Sequence, residues 1–342
     1  MRVRAGAVAV LVAALAAAGS ASSARPDRFV LHRLVSDRAD PQLVNAWGLA
    51  AEDGGAWWVA NEARSSSTVY AADGKKQGLR VAVPGGPTGV AFNGSRGFVV
   101  RGGSVAAPAR FVYACEDGMI RGWSPSVPHS WSREAVIAVD ASGSAAVFRG
   151  LALARGWLYA TDFHNDRVLV FDARWRRVLR HGAFVDPAIP DWYAPFGIAA
   201  LGGHVFVTYA WRAPVDGNDA PTGGYVDEFD LDGRLVARVA RRGEFDEPYG
   251  LALAPAGFGR FGGDLLVASF GSGRIDAYAR RGGGWRFDGR LPVRVPGVWA
   301  IAFGVGGAGG PRTTLFYAAG PHRWHGASEI DIHGVFGSIA PV

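Results

Sequence analysis

Glu247-Pro-Tyr-Gly-Leu-Ala252 is one of six renderings of a single phrase, and that phrase decides the architecture. The other five are Asn45-Ala-Trp-Gly-Leu-Ala50, Gly86-Pro-Thr-Gly-Val-Ala91, Val147-Phe-Arg-Gly-Leu-Ala152, Ala194-Pro-Phe-Gly-Ile-Ala199 and Gly297-Val-Trp-Ala-Ile-Ala302. Five centre on glycine and the sixth on Ala300, with successive centres 41 to 61 residues apart. A repeat of about 40 to 50 residues is the length of a four-stranded propeller blade. After each phrase comes a second apolar stretch: Trp57–Asn61, Phe111–Cys115, Trp157–Thr161, Val205–Tyr209, Leu265–Ser269 and Leu315–Ala319. A tight turn and a third strand follow, most clearly in Asn165–Phe171 and Gly271–Tyr278.

The expected fold is therefore all-β, a six-bladed β-propeller. The 49 glycines and 19 prolines agree, because both residues interrupt helices, and no useful helical periodicity follows the N-terminus. The phrase glycine has a mechanical reason: six inner strands converge on the central channel, where a side chain would crowd the neighbouring backbone. The last repeat has no fourth strand of its own, since the chain ends soon after Gly334-Val-Phe-Gly-Ser-Ile339. Phe29-Val-Leu-His-Arg-Leu-Val35 alternates and precedes the first phrase, so it is predicted to complete that blade and close the ring.

Arg2 and Arg4, the apolar run Ala5 to Gly19 and the small residues ending in Ala24 have the order of a signal peptide. The run is shorter than the ~20 residues of a spanning helix, and no later stretch matches one. The expected division is a signal peptide over 1–24 and one propeller domain over 25–342, giving an exported protein, periplasmic or secreted, without a transmembrane anchor. A monomer is expected. Cys115 is the only cysteine, which excludes an intrachain disulfide and a lipid-anchored signal segment. It ends an apolar strand and reads as a small packed hydrophobe.

The formal charge is +6 with the leader and +4 without it. Arginines gather late in the repeats, at Arg174, Arg176, Arg177 and Arg180, at Arg234, Arg238, Arg241 and Arg242, and at Arg280, Arg281, Arg286, Arg290 and Arg294. These places read as outermost strands with solvated edges, or as patches for anionic envelope components. Nucleic acid is not an expected partner of an exported chain.

Two residue sets are predicted to converge at one end of the channel. The first precedes the phrase centres: Trp47, Thr88, Arg149, Phe196, Tyr249 and Trp299. Packing between blades and an aromatic-rimmed pocket for a small apolar or anionic ligand are both open readings, with Trp47, Arg149, Phe196, Tyr249, Trp299 and Asn165 as the ligand-binding candidates. The second set follows the second strands: Asn61, Glu62, Glu116, Asp117, Asp162, His164, Asn165, Trp211, His322 and His325. Asn61, Glu116, Asp162 and His164 are the metal candidates, with Ca²⁺ as the ion, because hard cations take several oxygen ligands from separate elements. Turn chemistry is the competing reading, since Glu116-Asp-Gly118 suits a hairpin turn and Asp162 and Asn165 suit turn caps. Nucleophile elbow, zinc-protease, P-loop and EF-hand patterns are absent.

Leu34-Val-Ser-Asp37, Leu43-Val-Asn-Ala-Trp-Gly48, Glu116-Asp-Gly-Met-Ile-Arg-Gly-Trp123, Phe163-His-Asn165, Tyr193-Ala-Pro-Phe196, Val207-Thr-Tyr-Ala210, Gly250-Leu-Ala-Leu-Ala-Pro255 and His333-Gly-Val-Phe-Gly337 carry a resemblance. They are similar to segments of an uncharacterised family of exported bacterial six-bladed propellers, some of whose members end in a PEP-CTERM sorting signal. No such tail follows Val342, as expected of a released protein, and Pro321 to Ile332 is longer than the family's usual link. More remotely the chain resembles NHL-like propellers and the calcium-dependent phosphotriesterase and lactonase propellers. The family brings no activity with it, and the remoter likeness concerns the fold. The channel-face residues lead instead to the expectation of a ligand- or partner-binding propeller, with a metal-dependent hydrolase of lactones or phosphoesters and a structural envelope protein using the basic outer strands as alternatives.

Overall fold

Apolar alternation between turn-forming residues puts four antiparallel strands into each repeat, and six such sheets form a six-bladed β-propeller. The computed structural model describes residues 27–213, 223–241, 245–321, 323–325, 328–330 and 333–342. The expected leader over 1–24, His322 and the His325 side chain lie outside what it describes.

Blade 1 comprises Ala46–Ala51, Trp57–Asn61, Ser66–Tyr70 and Lys76–Ala82, from the channel outward. Blade 2 comprises Pro87–Phe92, Phe111–Cys115, Met119–Trp123 and Val136–Asp140, with a small hairpin, Val99–Gly102 and Val105–Pro108, inserted after its first strand. Blade 3 has Phe148–Ala154, Trp157–Asp162, Arg167–Asp172 and only Arg177–Val178 as its outer strand. Blade 4 uses Tyr193–Leu201, His204–Trp211, Tyr225–Phe229 and Leu235–Arg241, and blade 5 uses Pro248–Leu253, Leu265–Ser269, Arg274–Arg281 and Gly284–Arg290.

Blade 6 joins the two ends of the chain. Its inner strands are Val298–Phe303, Leu315–Ala319 and Val335–Pro341, and its outer strand is Phe29–Ser36. Phe29 lies opposite Pro341 and Ser36 opposite Val335. The predicted closure is therefore the observed one, and it pairs a sheet edge that would otherwise be open.

Separate apolar clusters fill the spaces between blades. One holds Val205, Val207, Tyr209 and Phe229 of blade 4 against Tyr159 and Val170 of blade 3. Cys115 is fully buried, and desolvation pushes its thiol up to about 12, as a packed hydrophobe requires. Several outer arginines neutralise carboxylates that the blades bury. Arg238 pairs with Asp186 at 2.5 Å, Arg290 with Asp276 at 2.6 Å, and Arg280 of blade 5 crosses to Glu228 of blade 4 at 2.7 Å. Removing such an arginine would leave an uncompensated buried charge, which costs more than an exposed pair contributes. Among the described residues no helix is long and apolar enough to cross a membrane.

Candidate functional site

All six inner strands slip register where the phrase falls. The ladder jumps between Ala46 and Leu49, Pro87 and Gly89, Phe148 and Gly150, Pro195 and Ile198, Pro248 and Gly250, and Val298 and Ile301. A bulge re-aims one side chain out of the strand's alternation. Here the residue re-aimed is the one before the phrase centre.

The centre itself meets the bulge of the next blade. A β-carbon on Gly197 would stand 2.1 Å from the Tyr249 carbonyl oxygen, and one on Gly250 would stand 2.4 Å from that of Trp299. Gly48, Gly89 and Gly150 face the following blade's backbone in the same way, at 2.8 to 3.0 Å. The glycines are thus required by close backbone approach around the ring. Thr161 adds a bridge between blades 3 and 4, its hydroxyl accepting from the Gly150 N–H at 2.8 Å and donating to the Phe196 carbonyl at 2.7 Å.

Trp47, Phe196, Tyr249 and Trp299 do not rim an open pocket. With Phe163 and Phe270 they form one buried cluster drawn from five blades, and this cluster plugs the channel at that end. Phe270 stacks on Trp299 at 3.7 Å between ring centroids, and Trp299 stacks on Trp47 at 3.9 Å. Phe196 meets Tyr249 edge-on at 5.4 Å. The Tyr249 hydroxyl donates to the Arg149 carbonyl at 2.9 Å and reaches the Thr88 carbonyl at 3.4 Å, so one side chain ties blade 5 to blades 2 and 3. Burial pushes its pKa well above that of a free tyrosine and keeps it a donor. Trp299 Nε1 donates to Asn45 Oδ1 at 3.0 Å, and Asn45 Nδ2 donates to Glu62 at 2.9 Å.

Arg149 covers the plug. Its guanidinium carbon lies 5.5 Å from the rings of both Trp47 and Phe163, and it is ion-paired with Glu116 of the preceding blade. Glu62 and Glu116 both approach Gly86: a β-carbon there would lie 3.1 Å from one carboxylate and 3.0 Å from the other.

Asp162, Asn165 and Asn61 are engaged locally. Asp162 is fully buried and accepts from Asn165 at 2.9 Å, from Arg167 at 2.9 Å and from the Val147 N–H at 3.2 Å, so it and Asn165 order their own turn. Asn61 is fully buried and donates to Thr68 across its hairpin at 3.0 Å. The His164 carbonyl accepts from Arg212 at 2.8 Å. Among the described residues no three His, Cys, Asp or Glu side chains are grouped to hold a metal. The donor chemistry agrees: guanidinium groups already neutralise Glu116 and Asp162, the two carboxylates a Ca²⁺ ion would need. Asn61, Glu116, Asp162 and His164 therefore do not fit a shared calcium centre, and the local turn chemistry accounts for Asp162 and Asn165.

Past the plug the channel is open. It holds a cavity of about 370 Å³ walled by Leu49, Val90, Leu151, Ile198, Leu251 and Ile301, with Tyr249 at its blind end. Exposure rises along the strand away from the plug, from 6% at Leu251 to 40% at Leu253. These wall residues immediately follow the phrase centre and are branched aliphatics in all six copies. That regularity was the available signal for them; Phe163 and Phe270 carry none within the phrase.

No protein-family model matches the chain. Two uncharacterized proteins of Acanthamoeba polyphaga mimivirus are similar in sequence. One is 33% identical over 294 residues, covering 80% of this chain and 73% of its own length. The other is 30% identical over 290 residues, covering 79% and 75%. In structure the chain is similar to the soluble aldose sugar dehydrogenase of Escherichia coli in its apo form, with a TM-score of 0.56, 12% identity, and coverage of 92% of this chain and 100% of that one. A likeness at that identity concerns the fold alone. The sequence match reaches across most of both partners, and the chain belongs to the family of these mimivirus proteins.

Proposed function

We propose that the chain is an exported binding protein that holds an uncharged, largely apolar small molecule in the blind channel, admitted from the face opposite the aromatic plug. The observation that carries this reading is the cavity of about 370 Å³ at the propeller axis, whose described lining contains no charged side chain. Ligand sites are typically clefts of about 300 to 1,000 Å³ with mostly apolar walls. A charged ligand group buried against Leu151, Ile198 and Leu251 would lose its hydration without a partner. Backbone groups and the rim supply the polar contacts that orient a guest.

Nile red, a neutral solvatochromic dye, tests the site. Saturable binding with blue-shifted emission is expected, and Ala199→Phe, which fills the channel, should abolish it while preserving the melting temperature. Equal dye binding by a folded Ala199→Phe protein would sink the reading. Export is part of the proposal and rests on the order of charged, apolar and small residues over 1–24. N-terminal sequencing of extracellular or periplasmic protein should find a start near Arg25; an uncleaved chain retained in the cells would overturn that part.

A further inference from the structure

Blade 3 is short at its outer edge. The fourth strands of the other blades run five to eight residues, whereas Arg177–Val178 has two. Its ladder pairs Val178 with Val170 and Arg177 with Phe171, and the adjoining turn sends the Asp172 N–H to the Arg176 carbonyl at 3.0 Å. The alternation of an antiparallel ladder points every second backbone unit outward, here Asp172, Val170 and then Val168. A continued strand would bring Arg180 opposite Val168. The chain instead turns away: the Ala183 N–H bonds the Arg180 carbonyl at 3.2 Å, and the Phe184 N–H goes to the Gly233 carbonyl of blade 4 at 2.8 Å. Among the described residues none continues the ladder at Val168.

A groove of about 330 Å³ lies where that strand would have run. Arg167, Arg177, Arg180 and His181 line it, and its described lining contains no carboxylate. Leu179 borders it and is 68% exposed. An open strand edge is a template for another strand, and the flanking charges set which strands are welcome.

We propose that this edge takes up an extended acidic segment of a partner protein as a fourth strand of blade 3. The segment's backbone would bond the N–H and carbonyl of Val168. Alternate apolar side chains would lie against Leu179, and the acidic ones would face Arg177 and His181. The charge pattern selects an acidic peptide over a second copy of this chain, whose outer strands are themselves rich in arginine. Exposed ion pairs are screened by salt, so binding should weaken as ionic strength rises.

The probe is a fluorescein-labelled decapeptide of alternating valine and glutamate, titrated against the full chain by anisotropy, with hydrogen exchange read at the Val168 amide. Saturable binding is expected, with protection of Val168 and at least a tenfold loss on Arg177→Glu/His181→Glu, an exposed double change that leaves the blade core alone. A valine–lysine decapeptide and a version with proline at its centre should bind at least tenfold more weakly. Equal binding of either control, undiminished binding to the double variant, or protection that leaves Val168 unchanged would overturn the proposal. So would a dimer that protects Val168 without peptide, since a second copy would then be the occupant.

Discussion

At the closed end of the channel, the residue before each phrase centre is aromatic in four blades, and its bulge turns it into a packed plug with stacked rings 3.7 to 3.9 Å apart. At the open end, three residues past the phrase centre on the same strands, Ala51 and Leu153 line a widening mouth and are partly exposed, and Leu253 at the same place in blade 5 is 40% exposed. One set of six strands thus serves two purposes, and the difference lies in curvature and crowding. The bulge gathers backbones at one level, so every atom there has a neighbour in the next blade. Beyond it the strands diverge, and a side chain has water on one side. Tolerance to substitution should follow the same gradient.

The largest effect is expected from Trp299→Ala, which removes the middle of the Phe270, Trp299 and Trp47 stack and the indole donor to the Asn45 amide oxygen. Urea unfolding should show a loss of about 4 kcal/mol, and the variant should convert the blind channel to one open at both faces, weakening Nile red retention. A loss below about 1 kcal/mol would mean the plug is not a packed element. Next comes Gly197→Ala, whose new β-carbon would press on the Tyr249 carbonyl at 2.1 Å. Because that neighbour is backbone, the strain cannot be relieved by a rotamer change, and about 3 kcal/mol should be lost. A Gly197→Ala protein with an unaltered denaturation midpoint would show that the ring contacts are loose.

Tyr249→Phe keeps the ring and deletes the hydroxyl that donates to Arg149 and Thr88 across the axis. It should cost about 1 kcal/mol, the net scale of one intramolecular hydrogen bond. Thermal unfolding with and without the substitution measures it, and an unchanged midpoint would place the stability of the plug in ring packing alone. The smallest effect belongs to the open end. Leu253→Ala, at a residue 40% exposed, should change stability by less than about 0.5 kcal/mol yet alter the affinity for Nile red measured by titration. If Leu253→Ala cost as much as Trp299→Ala, the contrast between the two ends would collapse.

Much of this was legible before any coordinates. The six phrases announced six blades, the glycines announced backbone contact at the axis, and Phe29 to Val35 announced the closing strand, because each depends on local pattern or on conformations few residues adopt. The side chains at the strand ends were less readable. Asp162 ends its second strand and Glu116 follows its own by one residue, but Asp162 orders its own turn while Glu116 reaches Arg149 in the next blade. Both arrangements satisfy the same composition, and only the distance between blades separates them.

The sequence by itself determined the blade number, the need for a small residue at each phrase centre, and the branched aliphatic at the position after it, since these follow from repeat length, backbone sterics and periodicity. The tertiary structure alone decided that four aromatic residues far apart in the chain fill the axis instead of rimming it, that the carboxylates are neutralised by arginines instead of gathered for calcium, and that blade 3 stops short of a full fourth strand. Those outcomes depend on which side chains meet across blades. Such meetings are set by the closure of the whole ring, to which no local stretch of sequence is sensitive.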